Sequence, residues 1–231
     1  MGCEIEYFYA AHSAFAYFGS KRLMAIARAA DCRIVHRPMD LRRVVKEGGA
    51  QPIAERSKAH RAYFFGREID RWSEERGAPV ISHMPTHHRK DITLPNCVII
   101  AGILAGLDVD QLAHALLTGH WRDDADLSDP ATLATLITGA GYDSKLLLTS
   151  AQHDPAVHAA YADNTEEAIA RSVFGSPTYF LDGDMFYGQD RLELIEKTLL
   201  RKADEYRTGG HARKLILNFP TNSWCANWIY S

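Results

Sequence analysis

Within residues 6–19, E-Y-F-Y-A-A-H-S-A-F-A-Y-F-G, a β-rich run gives way to a helical one, and this junction constrains the fold more than any other stretch. Residues 5–9 (I-E-Y-F-Y) are short and rich in β-formers, which predicts a strand. Residues 14–30 place Phe15, Phe18, Leu23, Ile26 and Ala29 at spacings of three to five, one buried face of a helix. Residues 33–37 (R-I-V-H-R) predict a second strand, stopped by Pro38. A strand, a helix and a strand in so short a span make a βαβ unit. Its strands run parallel because the helix carries the chain back across the sheet.

Strand character returns only at 178–182 (T-Y-F-L-D), followed by a turn at Gly183-Asp184 and a returning strand at Met185-Phe186-Tyr187. Asp190 then opens a last amphipathic helix, with Leu192, Ile195, Leu199 and Leu200 on one side. Between these two halves, residues 51–76, 94–106, 108–120, 129–140 and 155–173 are helical in pattern, with breaks at Gly77-Ala78-Pro79, Gly106-Leu107-Asp108 and Asp129-Pro130. Asp129 is a natural cap there, and Pro130 suits a first helical position. The fold class is therefore α/β, with a large helical insertion between a βαβ half and a ββα half.

The 231 residues suffice for a substantial core, and 46% hydrophobic with 24% charged residues is ordinary for a globular enzyme. A net charge of -3 gives no reason to expect nucleic acid or an anionic membrane as partner, and no apolar run approaches membrane-spanning length. Cys3, Cys32, Cys97 and Cys225 form no C-x-x-C pair, which argues against structural zinc and against a disulfide framework. A reducing, cytoplasmic setting is the simplest expectation. His83, His87 and His88 share a loop without a second cluster to complete a metal set, so no metal is expected and the three are taken as surface residues. Lys58 and Arg61 fit a solvated helix face.

Two seams carry chemistry. Ser13 stands where the first strand meets the first helix, a position where a hydroxyl serves as an N-cap. The same place offers free backbone N–H groups and a partial positive charge, which stabilise an anion. At the other seam, Pro177 either simply starts a strand or takes the cis form.

The order βαβ–ββα with G-S-P-T at 175–178 resembles the thioredoxin superfamily. More specifically, residues 164–196, with G-S-P-T and G-Q-D-R, and the N-terminal Y-F-Y-A-A-H-S-A-F-A-Y-F-G are similar to the 2-hydroxychromene-2-carboxylate isomerase and kappa-class glutathione transferase family. Echoes lie between, at R-P-M-D-L (37–41), R-A-Y-F (61–64), D-R-W (70–72) and D-L-S-D-P (126–130), so the resemblance runs from residue 4 to about 200. It implies a discontinuous thioredoxin-like domain at 1–42 and 165–206, a helical insertion domain at 43–164 and a C-terminal extension at 207–231. It also implies a cis-Pro177, glutathione as cofactor and a homodimer.

By this resemblance Ser13 would poise the glutathione thiolate, with Phe15 beside it, and the backbone of Ser176 before Pro177 would pair with the glutathione cysteine as an added strand. A free thiol titrating near ~8.5 needs a shift of only ~1–2 units to be mostly thiolate at neutral pH. Gln189 and Asp190 would hold the γ-glutamyl end, Asp190 also being a helix cap, with Arg191 turned to the ligand or to solvent. Asn164 would attend a small aromatic carboxylate substrate, or would simply begin a helix. His12 would act on protons or tune the thiolate near that substrate, or would be an ordinary surface histidine.

The implied activity is isomerisation of 2-hydroxychromene-2-carboxylate or a related aromatic catabolite. The alternatives are a kappa-like glutathione transferase, a DsbA-like oxidoreductase and a non-catalytic binding module. Ser13 and Ala16 occupy the places of the C-x-x-C sulfurs, which counts against dithiol exchange. The chain also departs from the family pattern. Ala14 replaces the proline of S-P-Y, Ala10 an acidic residue, and Ala50 the asparagine of G-N-x-P, while His12 stands where a small or aliphatic residue is usual.

Overall fold

The βαβ unit forms as β1 (Cys3–Tyr9), α1 (Ala14–Ala29) and β2 (Cys32–Pro38) in a computed structural model, which describes residues 2–52 and 55–207. β1 and β2 are parallel, in register from Cys3 opposite Cys32 to Tyr9 opposite Pro38. The second half supplies β3 (Thr178–Leu181) and β4 (Asp184–Tyr187), antiparallel to each other, with β3 also antiparallel to β1. The sheet order is β2-β1-β3-β4, so the first strand is internal and the far end of the chain closes on its flank. Asp182 (φ 50°) and Gly183 (φ 85°) form the hairpin turn, both in the left-handed region that a two-residue I′ turn demands. Asp182 therefore belongs to the turn, one residue earlier than the sequence pattern places it.

Period-2 alternation sends the two faces of β1 to different cores. On one face Tyr7 stacks on Tyr9 at 4.0 Å and on Tyr179 at 5.2 Å, with Tyr179 reaching Gly19 of α1. On the other, Phe8 and Phe180 join Met39, Val44, Ala168 and Val173 in a cluster with none of them more than 5% exposed. Arg171 covers this face, its guanidinium 3.6 Å over the Phe180 ring and 2.7 Å from Glu6.

Between the halves lie α2 (Leu41–Glu47), α3 (Lys58–Ala62), a π-helical turn (Tyr63–Arg67), α4 (Glu68–Arg76), α5 (Thr93–Leu104), α6 (Asp110–Trp121), α7 (Pro130–Gly139), α8 (Ser144–His153) and α9 (Pro155–Ala170). α6 packs on α1, α5 on β2, and α9 on both α2 and β2. A 3₁₀ turn (Gln189–Arg191) leads into α10 (Leu192–Arg207), and the compact body of the chain runs through Ile195. Most of the extension placed at 207–231, from residue 208 on, lies outside the described residues.

Three expectations are corrected. Residues 51, 52 and 55–57 are not part of the predicted 51–76 helix, because Ser57 caps a new start, its Oγ accepting from the His60 N–H. α2 and α8 are additional helices, capped by Asp40 and Asp143, whose carboxylates accept from backbone N–H groups of the first turn. Cys3 and Cys32 are bonded as a disulfide, since the parallel register sets them side by side with Cα atoms 4.5 Å apart. Residues 29 positions apart give no spacing signal of that kind. Cys97 is buried and free.

Candidate active site

Both chemical seams meet at one place. The chain leaves β1 through Ala10, Ala11 and His12, and Ser13 turns it into α1 with extended backbone angles (φ -75°, ψ 123°) while its Oγ accepts from the Ala16 N–H at 3.3 Å. The expected N-cap is therefore present. The same hydroxyl donates to the carbonyl of Ser176 at 3.1 Å, and the Ser176 hydroxyl accepts from the Ala10 N–H at 3.2 Å. The Ser176–Pro177 peptide bond is cis, and the Pro177 carbonyl accepts from the Gly188 N–H at 2.9 Å. Two further side chains hold the seam: Asn96 accepts from the Ala11 N–H through Oδ1, and the Trp121 indole donates to the His12 carbonyl, both at 2.9 Å.

In front of this seam is an open pocket. Its walls include His12, Ser13, Phe15 and Ser176, so four of the side chains singled out in the sequence converge there. Phe64, Phe65, Trp121 and Tyr187 add aromatic surface, Leu41 and Val45 add aliphatic surface, and Arg56 brings a guanidinium. Phe64 packs on Phe15 at 4.9 Å between ring centroids, and Arg56 lies 5.3 Å from the Phe64 ring centre. Both consecutive phenylalanines reach the pocket from the π-helical turn, a distortion common at functional sites. Gly175 lets Tyr187 close over the cis-proline loop, because a Cβ there would sit 2.4 Å from the Tyr187 ring.

The other sequence candidates are placed elsewhere. The Gln189 side chain is buried, its Oε1 accepting from Arg76 Nε at 2.8 Å, and Arg76 also grips Glu193 at 2.7 Å. Asp190 pairs with Arg191 at the surface. Asn164 donates to the Pro38 carbonyl at 3.1 Å and accepts from Arg37 at 3.3 Å, tying α9 to the end of β2. Pro177, Gln189, Asp190, Arg191 and Asn164 are not among the pocket walls.

His88 is not a surface residue. Its ring lies 4.9 Å from His12 and 5.2 Å from His120, and its Nδ1 shares a 2.9 Å hydrogen bond with His120 Nε2. Burial, reinforced by the neighbouring imidazoles and Arg42, lowers His12 well below the ordinary histidine range. Burial likewise lowers His88 and His120 to about 4, so all three are neutral at pH 7. Arg56, Phe64, Phe65, His88, His120, Trp121 and Tyr187 were not anticipated as site residues. The aromatic pair at 64–65 on an otherwise polar segment was the one signal available.

Residues 4–200 match the DSBA-like thioredoxin domain. The chain belongs to that family. Within it, a 2-hydroxychromene-2-carboxylate isomerase of Sphingobium xenophagum is 26% identical to this DsbA-like chain over 208 residues, covering 85% of this chain and 97% of the relative. A protein of the same name from Pseudomonas putida is 24% identical over 203 residues, covering 85% and 94%. The solved structure of a 2-hydroxychromene-2-carboxylate isomerase superposes with a TM-score of 0.73 at 22% identity, covering 89% of this chain and 98% of that one. Among the described residues no helix is long and apolar enough to cross a membrane, and no cluster of ligating side chains fits a metal ion.

Proposed function

We propose that this DsbA-like chain is an isomerase of 2-hydroxychromene-2-carboxylate, or of a closely related aromatic catabolite, working with a glutathione thiolate at Ser13. The names of the relatives support an isomerase enzyme. The observation that carries the reading is the convergence of Ser13, the cis Ser176–Pro177 loop and an aromatic pocket bearing one guanidinium.

The thiol end of glutathione fits the residues present. The α1 N-terminus supplies positive potential, the Ser13 hydroxyl is a donor already exchanging with a carbonyl, and the Ser176 backbone lies beside it for strand-like pairing. At the other end Gln189 is engaged by Arg76 and Asp190 by Arg191, so an ammonium group would share the Asp190 carboxylate with that guanidinium. When bound, glutathione supplies a thiolate that adds reversibly to a conjugated carbon, so that a double bond loses its rigidity before the thiolate departs. Phe15, Phe64, Phe65 and Trp121 would stack on a planar substrate and exclude water, and Arg56 would hold its carboxylate. Dithiol exchange needs two sulfurs where this chain has Ser13 and Ala16.

The test follows conversion of 2-hydroxychromene-2-carboxylate by absorbance, with and without glutathione, in the native protein and in Ser13→Ala. Conversion that requires glutathione and fails in Ser13→Ala supports the reading. Conversion indifferent to glutathione removes the cofactor, a stable conjugate instead of isomer makes the protein a transferase, and no conversion removes the substrate.

A further inference from the structure

His12, His88 and His120 come from three separate stretches: the β1–α1 seam, the α4–α5 connection and the last turn of α6. Their rings form one cluster against the wall that carries Ser13, His88 stacked on His120 and His12 tilted against His88, with His12 and His88 lining the pocket. A hydrogen bond between two imidazoles makes one a donor and the other an acceptor, and the Ala125 carbonyl 3.5 Å from His120 Nδ1 favours His88 as the donor and His120 Nε2 as the acceptor. His12 is different. It is 7% exposed, and its Nδ1 is buried with no hydrogen-bond partner among the described residues. Trp121 donates to its backbone carbonyl, which fixes the chain where it leaves His12 for Ser13. Buried polar nitrogens are normally satisfied, so an unpartnered one on a residue that lines the pocket calls for an explanation.

We propose that His12 is the proton acceptor of this site, taking the proton of a thiol that binds at Ser13, with the His88–His120 pair as its positioning partner. This rests on the thiol reading above. In the step, the S–H bond breaks and its electron pair stays on sulfur, while an N–H bond forms on the His12 ring. The same proton returns to sulfur when the thiol leaves. The transfer creates a thiolate and an imidazolium side by side, whose mutual attraction offsets the desolvation that opposes each charge, and no oxidant or reductant is involved. The charged and titratable groups acting on His12 are His88, His120 and Arg42 of α2, and Arg42 is itself held by the carbonyls of Arg89 and Lys90. These neighbours keep the ring neutral in the free protein, so its lone pair is available, and they oppose its protonation unless a negative charge lies beside it. A thiolate alongside supplies the negative charge that an imidazolium there requires.

The experiment titrates glutathione bound to the full chain by thiolate absorbance near ~240 nm, in the native protein and in His12→Asn, with calorimetry for affinity. The expected result is binding in both, with the bound thiol of His12→Asn less acidic by at least about one unit, a roughly tenfold loss of thiolate at neutral pH. An unchanged titration overturns the His12 assignment and leaves the glutathione reading intact, whereas no binding by the native protein overturns both. Should His12→Asn not fold, ¹⁵N chemical shifts of the native imidazoles decide instead. His12 becomes imidazolium when glutathione is added at pH 7, and a ring that stays neutral overturns the assignment.

Discussion

Ser13 answers to three neighbours at once. Its Oγ caps α1 through the Ala16 N–H, donates to the Ser176 carbonyl and faces the pocket. Ser13→Ala therefore removes a cap worth about 1 kcal/mol and a donor at the reacting end of the site. Urea denaturation should show a loss near that size, while turnover should fall far more, and equal losses in folding and activity would mean the hydroxyl is structural only. Arg56 presents a different case, since it touches the site through charge. In Arg56→Ala the affinity for an aromatic carboxylate should drop roughly 10–100-fold, the cost of a charge-assisted hydrogen bond. Binding of the corresponding amide, which lacks the charge, should change little. Calorimetry with both ligands checks this, and parallel losses would point to a packing role for Arg56 against Phe64.

At the scale of elements, Gly19 sets how closely α1 approaches the 3₁₀ turn. A Cβ there would lie 2.8 Å from Gln189 Cβ and 2.9 Å from the Tyr179 hydroxyl, neither free to retreat. Alanine gains up to ~1 kcal/mol of helix propensity, but overpacking costs ~1–3 kcal/mol, so Gly19→Ala should destabilise on balance. A lowered melting temperature checks it, and a raised one would show that the turn yields. The two halves of the sheet were legible because alternation and helical spacing are local signals. The helices capped by Asp40 and Asp143 were legible in principle, through their caps rather than their apolar periodicity. The pocket was half legible: Ser13 and Ser176 sit in motifs, whereas Trp121 reaches it through packing of α6 against α1 and His88 through the α4–α5 connection, which no spacing encodes. Gln189 illustrates the converse, a residue in the right motif whose side chain is claimed by Arg76 of α4.

For the whole molecule, the histidine cluster links folding to pH. His120 is 2% exposed and held to about 4, against about 6.5 in an unfolded chain. The unfolded chain thus binds more protons below pH 6.5. The stability contributed by this neutral histidine is full above 6.5 and is lost as pH falls toward 4, by on the order of 3 kcal/mol for one such group. Asp126, held at about 2, adds to the loss only at lower pH. Urea midpoints should fall between pH 7 and pH 5, before ordinary carboxylates titrate, and a flat profile would mean the histidine cluster opens to water.

The clasp between Ser13 and Ser176 joins positions 163 residues apart. On a ribosome, every intervening helix has emerged before the second serine does. A nascent chain halted anywhere short of Ser176 thus displays the hydroxyl with nothing opposite it, and competence arrives late in synthesis, in a single closing event.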